Sequence, residues 1–377
     1  MHHILILTLS DIKNDPRVSR QIRALSNHFA LTVAGRAGGD LTGICYVPII
    51  PRERTLASMI RGAWLLKTGQ FTSYYWGLPD IKDAAQKLAK KRFDLIIAND
   101  VEALPLALRV ADGAKVLLDA HEYAPQEFED SRVWSFFAQR FTTSFLCREH
   151  LPKIHAMMTV CEGIAGEYSR HFAVPRPFVI LNAPYRQELE PGPCGEHIRM
   201  IHHGKAIPSR KIELMIDMMR YLDERFLLDF MMIEKNLDYL NSLKKRAEPD
   251  KRIRFLPPVA MPDIPRTING YDIGLFLLPP TTLNYAHALP NKFFEFIQAR
   301  LAVAIGPSPE MARYVKKFDC GIVASDFRTE QLATALNGLT REQIERFKQH
   351  SHEAAQELCF EASEQLLLKN VHEMLTT

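Results

Sequence analysis

The chain has 377 residues, of which 47% are hydrophobic, enough for two domains that each bury a core. Its net charge of +3 arises from 47 basic and 44 acidic residues mixed along the sequence, so the composition gives no support to electrostatic binding of nucleic acid. No apolar run approaches the roughly 20 residues that a membrane-spanning helix needs.

The six cysteines are scattered and include no CxxC pair, which is typical of unpaired thiols in a reducing compartment. The opening segment, MHHILILTLSD, has an apolar run too short for a signal peptide and no basic residues before it, so it predicts a first strand. We therefore predict a cytoplasmic protein. Peripheral binding to the cytoplasmic face of a membrane stays open as an alternative.

Strand-like apolar runs alternate with helical segments along the whole chain, a pattern that predicts βαβ units and parallel sheets. The strands predicted in the first half are His3–Leu9, Leu31–Gly35, Leu95–Asn99, Lys115–Asp119, Ala156–Val160 and Phe178–Leu181. The helices predicted between them are Pro16–Ser26, Ile81–Lys91, Leu104–Ala111 and Ile164–Phe172. The strands predicted in the second half are Arg199–His203, Leu227–Ile233, Ile253–Leu256, Ile273–Leu278, Ala302–Ile305 and Gly321–Val323.

Two such series in succession predict an α/β protein with two Rossmann-like domains. We place the N-terminal domain at residues 1–184 and the C-terminal domain at 197–355. The hinge is predicted at 185–196, within a segment rich in proline and glycine. The closing stretch, residues 341–375, is helix-forming, and we assign 356–377 to a terminal helix.

The first predicted strand is followed by Ser10–Arg17, which contains no glycine. A dinucleotide-binding domain would have G-x-G-x-x-G at this turn so that the backbone could approach a pyrophosphate. An NAD(P)-dependent dehydrogenase and a P-loop enzyme are therefore disfavoured. Asp15 and Pro16 have the chemistry of an N-cap and a first helical residue, which predicts a helix starting here.

A basic loop, His202–Lys211, lies between the first strand of the second half and a predicted helix at Ile212–Tyr221. A helix N-terminus favours anions, and Lys205 and Arg210 add positive charge, so the loop predicts an anion site. A solvated basic turn is the open alternative. Adjacent strand residues point to opposite faces, so His202 and His203 are not expected to share a metal ion.

The segment from Leu289 to Glu310 predicts a short helix, Lys292–Arg300, followed by a buried strand, Leu301–Ile305. Lys292 and Glu295 would then lie at the carboxyl-end crevice where open α/β sheets bind ligands. A carboxylate suits ribose hydroxyls and a lysine suits phosphate. Two solvated charges on an ordinary surface helix are the alternative.

The strand Lys115–Asp119 ends in the sequence Asp-Ala-His-Glu. His121 is the natural candidate for contact with substrate, with Asp119 or Glu122 setting its tautomer. Asn99 and Asp100, which end the preceding strand, would line the same cleft. A structural histidine that caps a strand end is the competing interpretation.

Together these segments resemble the retaining family 4 glycosyltransferases of the GT-B fold, of the kind that build bacterial surface polysaccharides. The resemblance covers most of the chain and is carried by the Pro-Asn-Lys-x-Phe-Glu version of the donor signature at 290–295, with further motifs at Asp15–Val18, Asp119–Glu122, Asn182–Pro184 and His203–Lys205. It implies two domains that face a cleft and a final helix that crosses back to the first domain.

The resemblance also implies roles for residues. Glu295 would bind ribose and His121 would serve the reaction centre. The diphosphate would be bound by Gly204, Lys205 and Arg210, with Lys292 nearby. His287 replaces the acidic residue usual eight positions before the helix glutamate, which leaves the donor-sugar contact open. The acceptor side of the cleft would include Asp15, Arg17, Asn99, Asp100 and Glu122.

The expected reaction is transfer of a sugar from a nucleotide-diphosphate donor to a saccharide or lipid-linked saccharide, with no metal and no cofactor besides the donor. A GT-B epimerase and an inactive GT-B scaffold remain alternatives. A GT-A enzyme with a cation bound by Asp100 and Glu102 is a further one, although it would leave the second Rossmann-like half unexplained.

Two stretches of the first half, residues 52–76 and 131–155, combine basic and aromatic side chains. Such composition is typical of helices that lie on anionic lipid, although aromatic residues at helical spacing are more often part of a core. Both interpretations stay open at this point.

Overall fold

In the computed structural model, which describes residues 1–38, 41–52, 55–127 and 135–376, the chain forms two units. The first comprises Met1–Ile180 together with Glu364–Thr377, and the second comprises Leu181–Ser363. The domain boundaries predicted from the sequence, after residue 184 and after residue 355, correspond to these two divisions of the chain.

The first unit is built on seven parallel strands in the order β3-β2-β1-β4-β5-β6-β7. Their bounds are β1 His3–Asp11, β2 Ala30–Arg36, β3 Cys45–Pro48, β4 Leu95–Asn99, β5 Lys115–Ala120, β6 Ala156–Thr159 and β7 Phe178–Val179. The central strands are apolar on both faces, as expected where helices cover both sides of a parallel sheet. The edge strand β3 was not predicted, because it is short and carries an exposed Cys45.

The helices of this unit are α1 Pro16–Ser26, α2 Leu56–Lys67, α3 Phe71–Gly77, α4 Pro79–Leu88, α5 Leu104–Val110, α6 Ser135–Arg140 and α7 Glu162–His171, with a π-helix at Phe141–Glu149. Asp15 caps α1 as predicted, accepting hydrogen bonds from the backbone amides of Arg17 and Val18, with Pro16 at the first helical position.

The second unit has six parallel strands in the order β10-β9-β8-β11-β12-β13. Their bounds are β8 Ile198–Lys205, β9 Phe226–Ile233, β10 Ile253–Leu256, β11 Ile273–Phe276, β12 Ala302–Ile305 and β13 Gly321–Val323. The helices are α8 Glu213–Met218, α9 Leu237–Ala247, α10 Ile264–Ile268, α11 Leu283–Ala286, α12 Asn291–Gln298, α13 Pro309–Phe318, α14 Thr329–Asn337 and α15 Arg341–Glu357. The last helix, α16 Phe360–Thr376, begins in this unit and continues into the first.

Helix α12 ends two residues earlier than predicted. Arg300 has a left-handed backbone, with φ of +63°, and lies outside the helix. Its guanidinium donates to the carbonyls of Gln187 and Gln298 at 2.6 and 2.7 Å. Residues of the predicted hinge therefore pack on the second unit, and Arg300 links them to α12.

The last helix joins the first unit, as predicted for the GT-B fold. Residues from Glu364 onward cluster with that unit, where the ring of His372 lies 5.0 Å from that of Phe29. Lys115 donates to the carbonyl of Met374 at 2.6 Å. Within the described residues, none of the helices is both long enough and apolar enough to cross a bilayer.

Candidate functional site

Strand β8 of the second unit ends at an unusual backbone. Gly204 has φ of +124°, a conformation that side chains oppose. A Cβ atom added here would lie 3.1 Å from Nζ of Lys292 and 3.8 Å from Nη1 of Arg210. Two cationic groups therefore converge on a backbone position that only glycine leaves open, an arrangement suited to a small anion carrying more than one charge.

Lys292 lies in the first turn of α12 and is 94% buried, with 6% of its surface exposed. Its Nζ lies 3.3 Å from Nε2 of His202 and 4.3 Å from the centre of the Phe276 ring. Burial lowers the pKa of Lys292 well below its usual range, the charge of Arg210 lowers it further, and Glu295 partly opposes both. An anion bound beside Nζ would favour the protonated form.

His202 is a buried side chain that fixes the lysine. Its Nδ1 lies 2.9 Å from the carbonyl of Leu275 and must carry the proton to donate there, which leaves Nε2 as an acceptor for Lys292. Burial, and then the charge of Lys292, lower the pKa of His202 well below its usual range, so the ring stays neutral. The sequence singled out this residue only to discount it as a metal ligand.

His203, the next residue on β8, faces Glu295 instead. Its Nε2 lies 3.5 Å from Oε2 of Glu295, whose surface is 5% exposed. Burial and the charge of Lys292 lower the pKa of His203 to about 3, so this ring is also neutral. The two neighbouring histidines each contact one charged residue of α12, and neither Lys292 nor Glu295 is a solvated surface charge.

The loop after β8 differs from its prediction in one respect. Residues Pro208–Arg210 form a 3-10 turn, and α8 starts only at Glu213. The amide of Ile212 donates to the hydroxyl of Tyr239, and the first turn of α8 carries the acidic Glu213. The positive charge here therefore comes from side chains rather than from the helix N-terminus. Arg210 is half-buried beside Gly204, whereas Lys205 is exposed at the end of β8.

The predicted sugar-contacting loop, residues 279–290, contains the short helix α11. His287 follows its last residue and is half-buried. The hydroxyl of Tyr285 lies 2.8 Å from that of Ser209, which joins this loop to the turn that carries Arg210. His287 and Arg210 are thus on two connected loops.

The first unit carries a different charged cluster, centred on the buried Asp119. The Arg17 guanidinium donates to both carboxylate oxygens of Asp119 at 2.7 Å, and its third nitrogen donates to the carbonyl of Ile180 at 2.8 Å. Gln21 also donates to Asp119. Burial raises the pKa of Asp119, but Arg17 and His121 outweigh it and hold that pKa well below its usual range.

His121 lies between two carboxylates. Its Nε2 is 3.4 Å from Oδ2 of Asp119 and its Nδ1 is 3.4 Å from Oδ2 of Asp100. Burial lowers the pKa of His121, but Asp100 and Asp119 outweigh it and raise the pKa to about 9. Asp119 was expected as a partner of this ring, whereas Asp100 was expected only as a cleft residue. Asp100 has a left-handed backbone, and its side chain also accepts from the amide of His121 at 3.1 Å.

A cavity of about 310 Å³ opens beside His121 at the carboxyl ends of β1, β4 and β5. Its lining includes His121, the predicted reaction-centre residue, and three of the five predicted acceptor-side residues, Asn99, Asp100 and Glu122. Asp15 and Arg17 do not line it, because Asp15 caps α1 and Arg17 is engaged by Asp119. The amide group of Asn99 is buried and, among the described residues, has no hydrogen-bond partner.

Across the described ranges, no three His, Cys, Asp or Glu side chains are arranged to bind a metal ion. Sequence reasoning did not name Gln21, and it named His202 and His203 without their roles as partners of Lys292 and Glu295. Each of the three is a polar residue at an apolar position of a predicted strand or helix, and this is the signal that could have indicated a buried polar contact.

Comparison with known proteins gives matches by structure and none by sequence. No protein-family model matches the chain, and no curated protein sequence matches it either. The crystal structure of HepE (Alr3699) of Anabaena in complex with UDP and glucose aligns with a TM-score of 0.72 at 13% identity, covering 99% of this chain and 100% of that one.

Two further structures align over nearly the whole chain. Sucrose-phosphate synthase of Thermosynechococcus elongatus gives a TM-score of 0.76 at 11% identity, with both chains fully covered. WaaG, a glycosyltransferase involved in lipopolysaccharide biosynthesis, gives 0.63 at 12% identity, covering 96% of this chain and 98% of that one. At such identities the likeness establishes the fold, which is GT-B: two Rossmann-like parallel-sheet units with a C-terminal helix that joins the first.

Proposed function

We propose that this protein is a glycosyltransferase that moves a sugar from a nucleotide-diphosphate donor to a saccharide or lipid-linked saccharide acceptor. The observation that carries the proposal is the convergence of Lys292 and Arg210 on the side-chain-free Gly204. A diphosphate carries neighbouring negative charges, which could form ion pairs with these two cations. HepE, which shares the fold, was crystallised with UDP and with UDP-glucose.

In the proposed mechanism, Lys292 and Arg210 stabilise the charge that develops on the diphosphate as it departs. Arg210 can bind two phosphate oxygens at once, whereas Lys292 acts as a point charge oriented by His202. Glu295, one helical turn from Lys292, accepts hydrogen bonds from the ribose hydroxyls. Lys205 and His287 are proposed as additional donor contacts.

We further propose that transfer retains the anomeric configuration, as the family resemblance implies. We also propose that it needs no metal, because Lys292 and Arg210 supply the positive charge that a divalent ion would supply. The acceptor would bind at the cavity beside His121, lined by Asn99, Asp100 and Glu122. The product would belong to a capsule, an exopolysaccharide or a lipopolysaccharide, in keeping with the family that the sequence resembles.

Calorimetry with UDP, GDP, ADP, CMP and their sugars, with and without EDTA, tests the donor site. We expect one nucleoside diphosphate to bind selectively, in the presence of EDTA, and binding to be lost in Arg210→Ala and Glu295→Ala. The control is Arg220→Ala, which removes an exposed arginine of the same unit and should bind as the wild type does.

The other outcomes separate the alternatives. Binding of none of these ligands would overturn the proposal and favour an inactive scaffold, and binding that requires Mn²⁺ would contradict the metal-free mechanism. Exchange of the donor's C2 hydrogen with solvent deuterium in the absence of any acceptor would indicate an epimerase.

A further inference from the structure

Helix α2 of the first unit carries an exposed apolar face. Leu56, Ile60 and Trp64 are 73%, 63% and 56% exposed, and Met59 is exposed as well. Positions i, i+4 and i+8 share one side of a helix, so these side chains form a continuous stripe along α2. No other helix in the described part of the chain exposes as many large apolar side chains. Exposed apolar surface of this kind marks a site of interaction.

The exposed stripe is not the face through which α2 packs on the first unit, because α2 packs through its opposite side. Leu65 and Leu66 are buried, and Gly62 brings the helix so close to α3 that an added Cβ would lie 3.1 Å from the Tyr74 ring. The packed face and the exposed face of α2 are therefore distinct, and the exposed residues are not needed to cover the core of the unit.

Several of the aromatic residues that the sequence offered for lipid contact pack against one another inside the first unit. Phe141 lies 5.2 Å from Tyr74 and 5.4 Å from Phe145, and Tyr75 lies 5.6 Å from Phe145. Arg54, Arg132 and Trp134 of those two stretches lie outside the described residues. The exposed surface of α2 consists of Trp64, which the sequence offered, and of the apolar residues Leu56, Met59 and Ile60, which it did not single out.

The charged residues of α2 are of one sign. No Asp or Glu occurs between Thr55 and Leu78, and the two basic residues of α2, Arg61 and Lys67, are exposed. Apolar side chains flanked by cations match a bilayer whose surface carries anionic headgroups. Trp64 has the amphipathic ring that favours the boundary between headgroups and acyl chains.

We propose that α2 is a membrane-docking helix, which inserts Leu56, Ile60 and Trp64 into the interface of an anionic bilayer while Arg61 and Lys67 contact lipid headgroups. The proposal does not depend on the donor site or on catalysis. It concerns a surface of the first unit that the nucleotide-binding residues do not share.

The test is co-sedimentation of the full chain with vesicles of phosphatidylcholine alone and of equal parts phosphatidylcholine and phosphatidylglycerol. We expect binding to the anionic vesicles that weakens with added salt, and about tenfold or greater loss in the triple variant Leu56→Ser/Ile60→Ser/Trp64→Ser. Tryptophan fluorescence should shift to the blue on those vesicles, and the shift should be largely lost in Trp64→Phe.

The matched control is Leu237→Ser/Met261→Ser, which removes two exposed apolar side chains of the second unit and should bind vesicles as the wild type does. Equal thermal midpoints would show that the variants are folded, as expected for exposed positions. Failure of the wild type to bind either vesicle, or equal binding by the triple variant, would overturn the proposal. A concentration-dependent dimer that the triple variant abolishes would also overturn it, since the stripe would then join two copies of the chain.

Discussion

Each unit holds a charged cluster at the carboxyl ends of its strands, and the two clusters are balanced differently. In the first, Arg17, Asp119, His121 and Asp100 alternate in sign and satisfy one another. In the second, Lys292 and Arg210 both approach Gly204, and the carboxylate of Glu295, on the same helix as Lys292, faces His203. Internal neutralisation favours a structural role for the first cluster, whereas the convergence of like charges in the second is the reason we propose an anionic ligand there.

The largest effect should follow from breaking the balanced cluster. Asp119→Asn leaves the buried Arg17 without its counter-charge, so we expect about 3–5 kcal/mol of lost stability in urea unfolding. Nucleotide binding by the second unit should persist under native conditions. Asp217→Asn is the control, since it breaks a fork-like pair with Arg246 that is open to solvent and should cost less than about 1 kcal/mol. A smaller loss in Asp119→Asn than in the control would contradict this account.

The same cluster predicts a dependence of stability on pH. The pKa of His121 is raised from 6.5 to about 9 in the folded protein, so its stabilising charge is fully present below pH 6.5 and is lost as pH rises through 9. The stability difference between wild type and His121→Asn, up to about 3 kcal/mol at pH 6, should therefore shrink between pH 6.5 and 9. A difference that stays constant over that range would show that His121 is neutral in the fold.

The unbalanced cluster can be disturbed at Gly204. Gly204→Ala strains a backbone at φ of +124° and places a methyl group against Lys292, so nucleotide affinity should fall about 10–100-fold, or about 1.4–2.7 kcal/mol. Gly113→Ala is the matched control, because Gly113 also has a positive φ, of +92°, but an added Cβ would meet nothing within 4 Å. Both variants should lose some stability, and only Gly204→Ala should lose affinity. Equal affinities would show that nothing binds at this backbone.

The two clusters also show which features of the structure could be predicted from the sequence and which could not. Periodicity located the strands because a parallel sheet buries continuous apolar runs, and β10 and β12 have the predicted bounds. Residue chemistry indicated Lys292, Glu295 and His121 as site candidates. Asp119 was indicated as a partner of His121, because the two residues lie in one four-residue motif. The contacts of Arg17 with Asp119 and of His202 with Lys292 could not be found in this way, because the paired residues are 102 and 90 positions apart. Such pairs depend on strand order and on buried side-chain directions, which local patterns do not encode.

The smallest effect should come from His202, a positioning residue that reaches the ligand only through Lys292. His202→Leu removes the acceptor at 3.3 Å from Nζ but keeps an apolar side chain, so affinity should fall about tenfold, which corresponds to the lower end of the free energy of a hydrogen bond to a charged group, about 1.5 kcal/mol. His202→Gln supplies an amide oxygen and should restore part of the loss. Because the pKa of Lys292 is lowered and a bound diphosphate favours its charged form, the wild type should bind more weakly as pH rises.

This pH dependence distinguishes positioning from simple packing. Without its acceptor, the Lys292 amine loses a partner in both protonation states, and its orientation toward Gly204 is no longer fixed. The affinity of His202→Leu should therefore be lower at every pH, with a slope against pH like that of the wild type as long as Lys292 still takes up the proton. If the dependence of affinity on pH were lost in His202→Leu but kept in Lys292→Met, the group that takes up a proton on binding would be His202. The roles proposed for Lys292 and His202 would then be reversed.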